Sequence, residues 1–102
     1  MEITLQYFDD CPNWRITESH LSTLTKEGVD ATITYQIIDS YASAIENGFR
    51  GSPTVLIDGI DPFSSGDAPI GLTCRIYDTD SGAAGSPTLQ QLRAATATRK
   101  DA

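Results

Sequence analysis

The stretch "NGFRGSPTVLIDG", Asn47–Gly59, decides how this chain is laid out. Its second half, "TVLID", is a β-rich apolar run that starts at Thr54 directly behind Pro53. Its Gly48 is a natural stop for a helix arriving from the left. Asp58-Gly59 is a tight-hairpin signal, but the stretch that follows, "IDPFSSGDAPIG", is too long and irregular for a two-residue turn.

Toward the N-terminus, "YASAIEN" reads as a short helix capped by Asp39 or Ser40, and "ATITYQII", Ala31–Ile38, as a second strand. Residues 2 to 8, "EITLQYF", alternate apolar and polar and form a first strand. Between them, from Pro12 to about Glu27, Trp14, Thr17, Leu21 and Leu24 recur at helical spacing until Gly28 stops the pattern. Toward the C-terminus, "LTCRIYD" reads as a fourth strand and "TDSGAAG" as a loop. Ser86 is expected to cap a last helix with Pro87 at its first position, running to about Ala97, with 98–102 a disordered tail. The expectation is one α/β domain over residues 1–97, of order β-α-β-α-β-β-α. Its first crossover gives two parallel strands, its last two strands pair antiparallel, and helices cover both faces of a four-stranded mixed sheet.

Fourteen acidic against seven basic side chains leave a net charge of −7. Such a surface repels nucleic-acid phosphates and anionic membranes, so neither is an expected partner. No apolar run approaches the ~18 residues of a membrane helix. "MEITLQYF" has no basic stretch or cleavable apolar segment, so the expected address is the cytoplasm. Two cysteines in such a chain point to free thiols or redox chemistry before a structural staple.

One of those cysteines lies in "YFDDCPNW", Tyr7–Trp14, at the junction of the first strand and first helix. With the element order, this placement resembles the thioredoxin-like pattern. Within "NGFRGSPTVLIDG", Gly48, Arg50, Gly51, Pro53 and Thr54 agree in type and spacing with the thioredoxin segment Gly-Ile-Arg-Gly-Ile-Pro-Thr. The resemblance implies a thioredoxin-like three-layer fold in which Ser52-Pro53 is cis and lies against Cys11. It further implies that Ser52 and Pro53 hold a substrate chain by backbone hydrogen bonds, with Pro12 and Trp14 beside it. This chain departs from the family in two places: Trp14 stands where a second cysteine would follow at Cys-x-x-Cys spacing, and Asp10 replaces the aromatic residue before the first cysteine.

A thiol attacks as its thiolate. With Pro12 at the first helical position, Cys11 would sit at the N-cap, where unpaired N–H groups and the helix dipole favour the anion. Asp9 and Asp10 act in the opposite sense, and Arg15 and Arg50 could offset them, so the sign of the shift stays open. Trp14 either shields the sulfur or packs in the core. Cys74 is expected to share a core-facing side with Leu72 and Ile76, roughly ~10 Å from the active-site edge at ~3.3 Å per residue. A disulfide needs Cα atoms within ~7 Å, so a Cys11–Cys74 bridge is disfavoured and Cys74 is only a candidate second thiol.

His20 reads as a surface or flanking residue, and no metal site is expected, because Cys11, Cys74 and His20 lack a ligand spacing. "DGIDPFSSGD" lacks the ligand order of a calcium loop and reads as solvated. The glycines of "SGAAGSP" either serve a turn or cradle an anion such as a glutathione carboxylate.

Three functions follow. The first is a monothiol-type thiol–disulfide oxidoreductase, with Cys11 catalytic, Cys74 a second thiol and no bound cofactor. Protein or small-molecule thiols and disulfides are its partners, and glutathione is a candidate co-substrate. The second is a non-catalytic thioredoxin-fold module that binds a peptide or small ligand. The third is a thiol that captures soft metals or electrophiles.

Overall fold

The computed structural model describes residues 1–63 and 69–100. The segment "SSGDA" (64–68) within the irregular stretch, and residues 101–102 of the expected tail, lie outside the described residues.

The alternating run at the N-terminus forms β1 (Glu2–Tyr7), followed by α1 (Trp14–Lys26), β2 (Thr32–Ile37), α2 (Tyr41–Asn47) and β3 (Thr54–Ile57). Then come β4 (Tyr77–Thr79), β5 (Gly82–Ala84) and α3 (Leu89–Lys100). Among the described residues the main sheet has three strands in the order β2-β1-β3. β1 pairs parallel with β2 and antiparallel with β3, so the mixed sheet expected from the crossover is present with β1 at its centre.

The period of two along β1 sends Ile3 and Leu5 to one face, where Val55 and Ile57 of β3 stand opposite them. That face is buried under Leu21 and Leu24 of α1 and Leu92 of α3. Thr17, Leu21 and Leu24 are the buried residues of α1, as their spacing predicts, and Trp14 packs partly buried against the same cluster. The other side of β1 and β2 carries Thr4, Gln6, Thr34 and Gln36, and the Gln6 amide donates to Gln36 at 2.8 Å. A second cluster, Ile38, Ala44 and Phe49, gathers Phe8, Ile70 and Leu72 around α2. α2 has the expected punctuation: the Ser40 hydroxyl accepts from the Ser43 N–H, and Gly48 closes the helix in the left-handed conformation.

The C-terminal half departs from expectation. The run read as a fourth strand does not extend the main sheet. Its last residues enter β4, which pairs antiparallel with β5, a segment read as loop, in a separate two-stranded ribbon. Ser86 is not the cap of α3. Thr88 and Gln91 form a reciprocal capping box, the Gln91 N–H donating to Thr88 Oγ1 (3.0 Å) and the Thr88 N–H to Gln91 Oε1 (2.9 Å). Ser86 is buried, and its hydroxyl pairs with that of Thr17 at 2.7 Å, tying the approach to α3 onto α1. α3 continues past Ala97 to Lys100.

Candidate functional site

Cys11 lies in the turn between β1 and α1, its N–H donating to the Phe8 carbonyl (3.0 Å). The helix starts later than expected. Asn13 is the N-cap, and Pro12 and Asn13 form a preceding turn in which the Arg15 N–H reaches the Pro12 carbonyl. Cys11 is therefore not the N-cap expected of it but lies two residues before the cap, and the donor facing its sulfur is a side chain: Asn13 Nδ2 lies 3.8 Å from Cys11 Sγ.

Opposite stands the corner at the start of β3. The Ser52-Pro53 peptide bond is cis. Gly51, Ser52, Pro53 and Thr54 are all buried, and the Ser52 carbonyl oxygen lies 3.7 Å from Cys11 Sγ.

The partner of Cys11 is Cys74. The two form a disulfide with Cα atoms 5.9 Å apart, within the usual range for such a bond. The ~10 Å separation expected from the sequence assumed an unbroken strand along 72–78. That strand does not form. Residues 73–75 instead run alongside Ser52 in an isolated parallel bridge, with the Ser52 N–H donating to Thr73 O (2.8 Å) and the Arg75 N–H to Ser52 O (2.9 Å). The backbone groups expected to hold a substrate chain thus hold the protein's own Thr73–Arg75 strap. Gly51, at φ +131°, permits the approach: a Cβ there would stand 2.9 Å from Arg75 Cβ.

The strap also inverts the expected burial. Cys74 is exposed rather than core-facing, and Ile76 is 73% exposed. The inward residues are Arg75 and Tyr77. Arg75 Nη1 is 2.6 Å from Asp61 Oδ2 and 3.3 Å from Thr54 Oγ1, and its guanidinium lies 4.6 Å over the Tyr77 ring. The Tyr77 hydroxyl donates to the Pro53 carbonyl at 2.5 Å. Burial pushes the Tyr77 phenol well above its ordinary range; Asp61 adds to the rise and Arg75 opposes it. The phenol therefore stays protonated and keeps donating.

Of the residues expected at the site, Cys11, Ser52, Pro53 and Cys74 come together. Pro12 is exposed in the turn. Trp14 turns away toward Tyr7, stacked at 4.4 Å between ring centroids, with the Arg15 guanidinium 5.0 Å over its ring. His20 Nδ1 lies 3.2 Å from the Pro87 carbonyl, between α1 and the approach to α3. Sequence reasoning missed Asp61, Arg75 and Tyr77. The signal available for the last two was their alternation with Cys74 and Ile76, which reads equally well in either phase. Among the described residues no three His, Cys, Asp or Glu side chains could together hold a metal ion, and no helix is long and apolar enough to cross a membrane.

Chemically, the site is a disulfide between one buried and one exposed cysteine, which can accept two electrons and two protons. Comparison with known proteins gives no match: no family model, no curated protein and no solved structure is significantly similar to the chain.

Proposed function

We propose that this protein is a thioredoxin-like thiol–disulfide oxidoreductase whose redox couple is the Cys11–Cys74 pair. One observation carries the reading: the bridge joins the β1–α1 turn to the strap beside Ser52, and one of its cysteines is exposed. Resemblance of Asn47–Gly59 to the thioredoxin segment supports the same assignment. With Trp14 at the Cys-x-x-Cys position, Cys74 supplies from the strap the second sulfur that a monothiol mechanism would take from glutathione. Partner thiols or disulfides, on proteins or small molecules, are the substrates.

A structural staple is the competing reading, favoured by the 63-residue separation of the two cysteines. Equilibration with glutathione redox buffers separates the two. A redox couple titrates within the range of about −120 to −270 mV spanned by known thiol oxidoreductases, and the protein then catalyses insulin-disulfide reduction by dithiothreitol. A potential below about −300 mV, with no catalysis, assigns the bridge to structure and sinks the proposal.

A further inference from the structure

Given that the bridge is the redox couple, its two sulfurs are not equivalent. Cys11 is 1% exposed. Its N–H is tied to Phe8 O, and its Sγ is flanked by the Ser52 carbonyl at 3.7 Å and Asn13 Nδ2 at 3.8 Å. Cys74 is exposed, as is its neighbour Thr73. A thiolate displaces a disulfide sulfur in line with the S–S bond, so which sulfur it reaches is decided by access. In-line attack on Cys11 would have to come from the side away from Cys74, through the protein around a buried residue.

We propose that Cys74 is the sulfur that exchanges with the partner, and that Cys11 is the leaving and resolving thiol. An incoming thiolate RS⁻ attacks Cys74 Sγ. The RS–Cys74 bond forms, the Cys11–Cys74 bond breaks, and its electron pair departs on Cys11 as a thiolate. The Asn13 side-chain amide is the donor beside that developing charge. A second partner thiolate then attacks the partner sulfur of the mixed disulfide and releases RSSR and the Cys74 thiolate. The two protons of the partner thiols end on Cys11 and Cys74, so two RSH are oxidised and the bridge is reduced to a dithiol. In reverse, the Cys74 thiolate opens a partner disulfide and Cys11 resolves the adduct. The roles are thus opposite to those expected from position, in which the cysteine at the strand–helix junction attacks.

The test uses the oxidised wild-type protein. It is treated briefly with 2-mercaptoethanol at mildly alkaline pH, quenched in acid, and the mixed disulfide is located by peptide mass mapping. The expected result is at least about 10-fold more early adduct on Cys74 than on Cys11. In parallel, Cys11→Ser and Cys74→Ser are reacted with dithionitrobenzoate, each rate normalised to that of the same variant in urea. The lone Cys74 thiol should react at nearly its unfolded rate, and the lone Cys11 thiol at least about 10-fold slower. Adduct on Cys11, or equal early labelling of both, overturns this assignment while leaving the redox reading intact. A lone Cys11 that reacts as fast as a lone Cys74 also overturns it. A wild-type bridge that no thiol opens overturns the redox reading, and this assignment falls with it.

Discussion

Ser52 does its work with its backbone. Its N–H and carbonyl both pair with the strap, and its carbonyl oxygen faces Cys11 Sγ. Its hydroxyl is buried without a hydrogen-bond partner among the described residues. Removing an unpaired buried hydroxyl relieves a desolvation cost, so Ser52→Ala should leave stability unchanged or raise it by up to ~1 kcal/mol in urea denaturation. Tyr77 is the opposite case. Tyr77→Phe leaves the buried Pro53 carbonyl without the phenol donor and should cost about 1–3 kcal/mol in the same measurement. Equal effects from the two changes would mean that the strap is held by something other than these main-chain groups. Pro53 was legible as a corner residue because proline placed directly before a β-rich run has few other uses. The idle hydroxyl of Ser52 was not, because only the packing around it reveals that nothing reaches it.

At the scale of elements, the strap is the part most dependent on the bridge. The bridge joins cysteines 63 positions apart in the chain, and the chain-entropy relation assigns such a closure about 4 kcal/mol. Reduction should therefore lower the thermal midpoint by about 15–30 °C for a domain of this size, read by circular dichroism with and without dithiothreitol. A shift below about 5 °C would show that the reduced strap stays docked through Ser52, Arg75–Asp61 and Tyr77 alone. The first three strands and two helices were legible because short-range signals set them: alternation in β1, three- and four-residue spacing in α1, Ser40 and Gly48 around α2. The strap was not legible for a physical reason. "LTCRIYD" alternates, and hydropathy assigns its apolar phase, Leu72, Cys74 and Ile76, to the core. The opposite phase wins at its C-terminal end because Arg75 finds Asp61, 14 residues away, and Tyr77 finds Pro53, 24 residues away. No local pattern encodes those partners. β5 was hidden because Gly82, Ala83 and Ala84 are weak strand formers that bury nothing, all three being exposed. The cap of α3 moved because the Ser86 hydroxyl is engaged by Thr17, leaving Thr88 and Gln91 to satisfy the helix end.

At the scale of the whole molecule, the alkaline limit of stability follows from two tyrosines on separate parts of the fold. The Tyr35 phenol is pushed up to about 12, first by its hydrogen bond to Glu18, then by burial and by the Glu18 charge. Tyr77 is raised by burial. Both folded values lie above the ordinary value of ~10 for an unfolded chain, so the unfolded state loses its phenolic protons first as pH rises. The associated stability is fully present below ~10 and is lost progressively above it. Urea midpoints should accordingly fall as pH rises beyond ~10, and Tyr35→Phe should flatten part of that decline. An unchanged slope in Tyr35→Phe would show that the Glu18 contact does not distinguish the folded state.

The bridge also divides the chain in a way that sequence order conceals. Residues 11 to 74 form a closed covalent ring that contains α1, β2, α2 and β3, while β1 hangs outside it as a free arm. Yet β1 is the middle strand, inserted between two strands that both belong to the ring. A single peptide-bond cut anywhere within the ring leaves one molecule of nearly unchanged mass, its two pieces linked through sulfur until a reductant separates them. A cut between β1 and Cys11 releases the strand at the centre of the sheet. A nick between β1 and Cys11 is thus ruinous, a nick between Cys11 and Cys74 is silent, and reduction turns the silent kind into fragmentation.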